Sequence, residues 1–391
     1  MTFDFETELP LSRTHCSKYD NLPGSFGLTS EDAIPMWVAD MDFPAAPCIL
    51  DTLQREIDRG YMGYFGMPGP IAESVVTWMD EKHGMPVDPK HVRFSRGVID
   101  GIAMTLHALT EPGDGVIIFP PVYHVFFNKT RAMGRQVVEA ELVEQDGTLH
   151  MDLDALESRL TGREKLVIFC SPHNPGGRLW SADEIKALTD FCAKHDLWLI
   201  SDEIHMDLVF PGYKHTPTLV AAPDAADRTV VLSAASKGFN IAGAETAFAI
   251  IPDDAVRAKF DKAQAYLGGT PNRFGMVMMK SAFDHGAEWS LAVRQVLADN
   301  FALWRDRIGA LPGVRVMEMQ ATYLSWADFT DTGLSEAEIS DRIITQAQVA
   351  PSPGTQFGNT GALHRRFNLA LPETKLLRAI ERVETAFADL Q

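Results

Sequence analysis

The sequence of 391 residues is poor in cysteine, in positive charge and in long apolar runs. Its four cysteines show neither CxxC nor zinc-ligand spacing, so neither a disulfide framework nor a metal site is predicted. A net charge of −18 argues against nucleic acid or an anionic membrane as partner. No apolar run approaches the roughly 18 residues that span a bilayer, and the first residues lack the basic stretch of a secretory signal. We therefore expect a cytoplasmic protein.

What the sequence does contain is a long alternation of strand-like and helix-like segments. The chain exceeds the usual size of one hydrophobic core, which favours two domains. Between about residues 70 and 251, short apolar runs alternate with amphipathic stretches, a pattern that predicts a mainly parallel sheet covered on both faces. After about residue 285 the pattern changes, and residues 373–390 form an amphipathic C-terminal helix. The sequence therefore predicts an α/β domain with a second, smaller α+β domain.

Two apolar stretches of the predicted sheet end in polar side chains that a cofactor can use. Residues 197–200 are followed by Asp202, and residues 229–232 are followed by Lys237. Ligands of open α/β sheets bind beyond the carboxyl ends of the strands, so these two side chains are expected at one site. A lysine amine can form a Schiff base, and a carboxylate can keep a pyridine nitrogen protonated. The pair predicts a site for an aldehyde cofactor, although Asp202 alone could equally be a strand-end cap.

Other side chains at strand ends are candidate ligands of the same cofactor, each with a structural alternative. Asn174 can donate to a ring hydroxyl or simply form a turn. Tyr123 can stack on a ring or lie at the rim, and His205 can face the ring or be a core histidine. Arg366 can pair with a substrate carboxylate or be a surface arginine. The candidate phosphate donors are the backbone of Gly97 and Val98 at a predicted helix start, Ser233 and Ser236.

Two segments near the N-terminus have an unusual composition. Residues 35–44 interleave two acids with apolar side chains. This segment either packs Trp37 into a domain junction or forms the edge of a substrate pocket. Residues 60–70 form a loop rich in glycine and aromatic residues, a composition that suits ligand binding or contact with a partner chain.

These motifs resemble those of the fold-type-I pyridoxal-phosphate enzymes of the aspartate aminotransferase superfamily. The motifs S-P-H-N-P-G-G, S-D-E-I-H, S-x-x-S-K and R-x-N occur in the family's order across nearly the whole chain. Three stretches, residues 37–43, 201–208 and 236–243, most resemble the cystathionine β-lyase-like MalY/PatB branch of carbon–sulfur lyases. Aminotransferases of the superfamily typically have tyrosine where this chain has His205.

The resemblance implies a division of the chain into two domains. Residues 46–284 would form the large cofactor-binding domain, with a mainly parallel, mixed seven-stranded sheet covered by helices. Residues 1–45 and 285–391 would together form the smaller α+β domain.

The resemblance also implies a role for each candidate residue. Lys237 would carry pyridoxal 5′-phosphate as a Schiff base, Asp202 would pair with the ring nitrogen, and Asn174 would donate to the ring hydroxyl. Tyr123 would stack on the ring. The substrate's α-carboxylate would bind Arg366. In a homodimer with shared active sites, the phosphate would be reached from the opposite subunit by Tyr64.

The implied reaction is α,β-elimination of an L-cysteine thioether, such as L-cystathionine, to a thiol, pyruvate and ammonia. The chain departs from the family at Gly238, where threonine is frequent, and at Ala234, where the wider superfamily often has a hydroxyl residue. One phosphate contact is therefore either missing or moved to Ser233. The alternatives are a class I/II aminotransferase on the same scaffold and a pyridoxal-phosphate-binding regulator that contacts a transcription factor. A nicotinamide enzyme is disfavoured because no GxGxxG follows a strand.

Overall fold

A computed structural model describes residues 3–390. Within them the chain forms fourteen β-strands, namely β1 (Ile34–Met36), β2 (Val92–Ser95), β3 (Gly115–Ile118), β4 (Gln136–Glu139), β5 (Val143–Gln145), β6 (Thr148–His150), β7 (Glu164–Cys170), β8 (Trp198–Asp202), β9 (Thr229–Ser233), β10 (Ala247–Ile250), β11 (Arg315–Val316), β12 (Leu324–Asp328), β13 (Val349–Pro353) and β14 (His364–Asn368). The α-helices in the same part of the chain are α1 (Ser17–Asp20), α2 (Leu22–Phe26), α3 (Pro47–Arg59), α4 (Gly69–His83), α5 (Val98–Leu109), α6 (Val125–Ala132), α7 (Leu153–Glu157), α8 (Ala182–Lys194), α9 (Thr218–Ala221), α10 (Ala235–Gly238), α11 (Asp254–Leu267), α12 (Arg273–His285), α13 (Ala287–Ile308), α14 (Glu336–Ser340) and α15 (Glu373–Ala386).

The larger sheet has seven strands in the order β2-β10-β9-β8-β7-β3-β4. Strand β10 runs antiparallel to both of its neighbours, and the other pairs are parallel. The expectation of a mainly parallel, mixed seven-stranded sheet is thus confirmed.

Helices cover this sheet on both faces, as the continuous apolar strands predict. In β7, Leu166 and Ile168 point to the core that α5 and α11 cover, whereas Val167 and Phe169 point to the core beneath α8. Helix α8 begins with a capping box, in which Ser181 and Glu184 each accept a backbone N–H of the other. None of the helices within residues 3–390 is long and apolar enough to cross a membrane.

A second sheet joins the two ends of the chain. Its five strands have the order β1-β13-β14-β12-β11, with β1 parallel to β13 and the other pairs antiparallel. Residues 34–36 therefore lie beside strands that follow them by more than 300 residues. This pairing supports the division at residues 45 and 284, which remains a prediction.

Some elements of the second sheet have no counterpart in the sequence pattern. Strand β13 contains Pro351 and Pro353, which weaken a strand prediction because proline cannot donate to a ladder. Strand β14 buries Arg365 and Arg366, so it lacks the alternation of apolar and polar residues that identifies a half-buried strand. Residues 17–36 form two short helices and the edge strand β1, for which no apolar period was found.

A buried ion-pair cluster fastens the N-terminal segment to the rest of the fold. The Lys18 ammonium is fully buried, 2.8 Å from the Asp42 carboxylate and 3.4 Å from that of Asp40. Asp42 also accepts hydrogen bonds from Tyr19 and from Lys375 of α15. Burial by itself raises the pKa of Asp42. The positive charges of Lys18 and Lys375 and their hydrogen bonds together have the larger, opposite effect, so the net pKa of Asp42 lies below its ordinary value. The carboxylate therefore stays charged at neutral pH and holds three parts of the chain together.

We predict that Asp42→Asn lowers the free energy of unfolding by about 3 kcal/mol, because Lys18 loses its principal buried partner. Urea denaturation at neutral pH measures the effect. Because the folded-state pKa is depressed, the contribution of Asp42 is complete above its unfolded pKa and disappears as the pH falls through the folded-state value. Glu31→Gln is the control, since Glu31 pairs with Arg13 at a site where both side chains are more than 80% exposed. Equal stability of the two variants would contradict the prediction.

Candidate active site

The carboxyl ends of strands β7, β8 and β9 open into a cavity of about 440 Å³. The parallel register aligns Cys170 with Asp202 and Asp202 with Leu232, so the polar residues after the strands lie at one edge of the sheet. Eight of the eleven candidate residues line the cavity: Gly97, Val98, Tyr123, Asn174, Asp202, His205, Ser236 and Lys237.

Lys237 lies in the short helix α10, directly after strand β9. Its Nζ donates a hydrogen bond of 2.5 Å to the carbonyl oxygen of Ala39. Burial lowers the pKa of Lys237 to about 8; Arg366 lowers it as well, whereas Asp40 and Asp202 raise it. The amine therefore titrates close to neutral pH, as a nucleophile or proton carrier requires.

The two consecutive acids at the end of β8 face different surroundings. Asp202 lines the cavity, and burial together with the adjacent Glu203 raises the pKa of Asp202 to about 7. Among residues 3–390, the only hydrogen bond to its carboxylate comes from the Ile204 N–H at 3.2 Å. The Glu203 carboxylate instead accepts hydrogen bonds from Ser201 and Thr218 and contacts His215. Asp202 is thus the acid that remains available to a ligand.

His205 lines the cavity as a neutral imidazole. Burial, with Lys237 and Arg366 nearby, lowers the pKa of His205 to about 3. Its Nδ1 atom is buried and has no hydrogen-bond partner within residues 3–390. A ligand in the cavity can supply that partner.

Arg366 reaches the cavity's edge from the second sheet. Its guanidinium donates to the side-chain oxygen of Asn174 at 3.1 Å, to the Trp37 carbonyl at 2.7 Å and to Ser352 at 3.2 Å. Burial lowers the pKa of Arg366 to about 10, so it remains charged at neutral pH. Tyr123 lies nearby, and burial raises the pKa of its phenol. The structure therefore brings Arg366, Asn174 and Tyr123 together.

The phosphate candidates are not all placed alike. Gly97 and Val98 stand at the start of α5 and line the cavity, as does Ser236. Ser233 does not line it: its buried hydroxyl donates to the Glu203 carbonyl oxygen at 3.1 Å. Within this chain Tyr64 is also outside the cavity, fully exposed in the loop of residues 60–70.

The segment of residues 37–43, which we call the 37–43 segment, forms no strand and packs against the cavity. Asn240 receives a hydrogen bond from the Met41 N–H and donates to the Met41 and Phe43 carbonyls. Asn368 donates to the carbonyls of Val38 and Asp40. The composition of this segment indicated a pocket edge or a junction, and the contacts show features of both.

The structure adds residues to the site that the sequence motifs do not single out. Ala39, Arg96 and Glu245 line the cavity, and Asp40 acts on the pKa of Lys237. A signal was available for Asp40, because an acid between apolar residues is unusual. No local pattern distinguishes Glu245 from a surface acid.

Comparison with known proteins identifies the class. The family model "Aminotransferase class I and II" matches residues 32–383. The chain is 37% identical to cystathionine beta-lyase PatB of Bacillus subtilis, over 96% of this chain and 97% of that protein. It is 30% identical to the protein MalY of Escherichia coli, over 97% of each. The structure of cystalysin from Treponema denticola, which contains pyridoxal 5′-phosphate, superposes with a TM-score of 0.96 at 31% identity and covers 100% of each chain.

The chain therefore belongs to the aminotransferase class I and II family. Within that family it belongs with PatB and MalY. The resemblance found in the motifs is confirmed.

We predict that Asp40→Asn moves the titration of Lys237 to lower pH in protein stripped of cofactor, because the substitution removes a negative charge that raises the lysine pKa. The rate of Lys237 carbamylation by cyanate, followed by peptide mass spectrometry, reports the neutral amine. The parent protein should show a midpoint near pH 8. Glu31→Gln removes an exposed carboxylate in the same part of the chain and serves as control. An unchanged midpoint in Asp40→Asn would show that Asp40 has no such effect.

Proposed function

We propose that this chain is a pyridoxal-phosphate-dependent carbon–sulfur β-lyase that acts on L-cysteine thioethers such as L-cystathionine. The observation that carries the proposal is the pairing of a Lys237 amine and an Asp202 carboxylate in one cavity at neighbouring strand ends. The names of its relatives support the reaction, since PatB is a cystathionine β-lyase.

The residues around the cavity fit the cofactor. Asp202 has a carboxylate with a single hydrogen bond, which suits a protonated ring nitrogen. His205 offers an unpartnered buried nitrogen. The start of α5, at Gly97 and Val98, presents backbone N–H groups to a phosphate. We therefore infer that these residues hold the cofactor, with Asn174, Tyr123 and Ser236.

When bound, pyridoxal phosphate supplies an electron sink that stabilises negative charge at the substrate Cα. Lys237, with its pKa near 8, takes the proton from Cα once its amine is free. Arg366 holds the α-carboxylate of the substrate and so fixes the Cα–H bond toward Lys237. Asp202 would balance the positive charge of a protonated ring nitrogen.

The net reaction breaks the Cβ–S bond, and the sulfur leaves with the bonding electron pair and takes up a proton. The three-carbon remainder reacts with one water to give pyruvate and ammonia. No oxidant and no second substrate other than water is consumed, which separates this reaction from transamination.

We predict that Lys237→Ala lowers pyruvate formation from L-cystathionine at least about a thousandfold, the scale of losing an essential acid–base group. Lys262→Ala, at an exposed lysine of α11, is the matched control and should keep full activity. Pyruvate and free thiol are assayed together without added 2-oxo acid. If the parent protein makes pyruvate only when a 2-oxo acid is supplied, the chain is an aminotransferase instead.

We further infer a homodimer in which Tyr64 of each chain completes the phosphate site of its partner. The exposed loop supports this inference, because Tyr61, Met62, Tyr64 and Met67 are all more than half exposed in the single chain. Apolar side chains grouped in this way commonly mark an interface.

Mixing Tyr64→Ala with Lys237→Ala tests the shared site. A mixed dimer contains one intact site, so random exchange of subunits should restore about a quarter of the parent activity per chain. Each variant mixed with itself should remain inactive. Absence of recovery after demonstrated subunit exchange would place Tyr64 outside the partner's site.

We also infer a cytoplasmic location. Cys16, Cys48, Cys170 and Cys192 are all free thiols, and two of them are buried. Free thiols persist most readily in a reducing compartment.

A further inference from the structure

We propose that Tyr323 is a positioning residue whose hydroxyl allows Lys237 to leave the backbone and bind the cofactor. The Ala39 carbonyl oxygen accepts hydrogen bonds from Lys237 Nζ at 2.5 Å and from the Tyr323 hydroxyl at 3.0 Å. These are its only hydrogen bonds within residues 3–390. One of the two donors is thus the amine that the proposed function requires elsewhere, and the inference rests on the proposed attachment of pyridoxal phosphate to that amine.

Attachment of the cofactor removes the lysine from this carbonyl. The amine attacks the aldehyde carbon of pyridoxal phosphate, a C=N bond forms, and the aldehyde oxygen leaves as water. The nitrogen keeps at most one N–H, and the cofactor then fixes its position. Ala39 is partly buried and lines the active-site cavity, so a ligand that fills the cavity covers its carbonyl. A peptide oxygen removed from water needs a donor, and Tyr323 is the donor that remains.

The neighbouring carbonyls show what the tyrosine contributes. In residues 37–40, Arg366 donates to the first carbonyl at 2.7 Å, and Asn368 donates to the second at 2.6 Å and to the fourth at 2.5 Å. Both donors belong to β14, which pairs with β12, and Tyr323 directly precedes β12. The second sheet thus supplies a donor to each of four consecutive carbonyls without Lys237. Only the third carbonyl depends on the tyrosine for this.

Tyr323 is held firmly enough to keep its hydrogen bond when the lysine leaves. The residue is 1% exposed, and its own carbonyl oxygen accepts the Leu369 N–H at 2.7 Å. The adjacent Thr322 N–H donates to the Leu208 carbonyl at 2.9 Å. Burial, with Asp40 nearby, raises the pKa of the phenol, so the hydroxyl stays protonated at neutral pH and remains a donor. The tyrosine is therefore a permanent partner of the carbonyl, and the lysine is a removable one.

The first test uses the full chain stripped of cofactor, where the two donors should replace each other. Tyr323→Phe removes one oxygen atom and leaves Lys237 on the Ala39 carbonyl. In a Lys237→Met background the same substitution leaves the carbonyl without either donor. We therefore expect Tyr323→Phe to lower the folding equilibrium constant at least about fivefold more in the Lys237→Met background than in the parent. Urea denaturation of the four proteins gives this double-mutant cycle.

A purely structural role of the hydroxyl gives a different cycle. In that case Tyr323→Phe lowers stability by the same factor whether or not Lys237 is present, and the inference is overturned. A Tyr323→Phe protein that does not fold while Lys237 is present also overturns it, because the lysine should then keep the carbonyl paired.

The second test measures the affinity for the cofactor. Because attachment takes Lys237 from the carbonyl, Tyr323→Phe should raise the dissociation constant of pyridoxal phosphate about fivefold to tenfold. Titration of the stripped protein with pyridoxal phosphate, followed by visible absorbance, gives this constant. Tyr213→Phe removes a hydroxyl from a side chain that is 53% exposed, so it is the matched control and should bind as the parent does.

Failure of the proposed attachment is recognised separately. Borohydride reduction of the loaded protein fixes the cofactor to the amine that it occupies, and peptide mass spectrometry locates that amine. Reduced cofactor on a lysine other than Lys237 overturns the proposed attachment together with the role of Tyr323. Reduced cofactor on Lys237, combined with a dissociation constant that Tyr323→Phe leaves unchanged, overturns the role of Tyr323 alone.

Discussion

The carbonyl groups of residues 37–43, a segment that is partly to fully buried, impose the constraint on which the active site depends. Peptide oxygens removed from water must be hydrogen-bonded, and this segment belongs to no strand that could pair them. Side chains from the whole site fill that role, with donors at Lys18, Lys237, Asn240, Tyr323, Arg366 and Asn368. The proposed catalytic lysine and the proposed carboxylate-binding arginine are therefore fixed relative to each other through one stretch of backbone.

The same burial sets the electrostatics of the site. It lowers the pKa of Lys237 to about 8, so about one amine in ten is uncharged at pH 7, against about one in 3,000 for a lysine with the ordinary pKa of 10.5. It raises the pKa of Asp202 to about 7. A cationic ring nitrogen beside Asp202 would restore its charge, and an imine at Lys237 would remove the need to bury an ammonium. The charged forms of Lys237 and Asp202 are thus less favourable in the cavity alone than the states they would adopt beside the proposed cofactor.

The parts of the site that follow strands were predictable from the sequence, because a short apolar run followed by a polar residue is visible in the local sequence. Asp202 and Lys237 are of this kind. Contacts across the two sheets were not predictable, since Arg366 and Asn174 are 192 residues apart and lie in no common pattern. Ser233 and Ser236 show the limit of motif reasoning: both flank the same turn, but only Ser236 faces the cavity.

In the proposed function, Arg366 connects this constraint to substrate binding. Its guanidinium has five N–H donors, of which one contacts Asn174 and two contact Trp37 and Ser352. The Nε atom is buried without a partner among the described residues. An unpaired buried donor costs about 1–3 kcal/mol, and a substrate carboxylate that accepts this N–H removes the cost without breaking the bond to Asn174. The arginine is therefore held in place by contacts from both parts of the fold, while its Nε–H keeps no partner among the described residues and is the donor that the proposed substrate carboxylate would use.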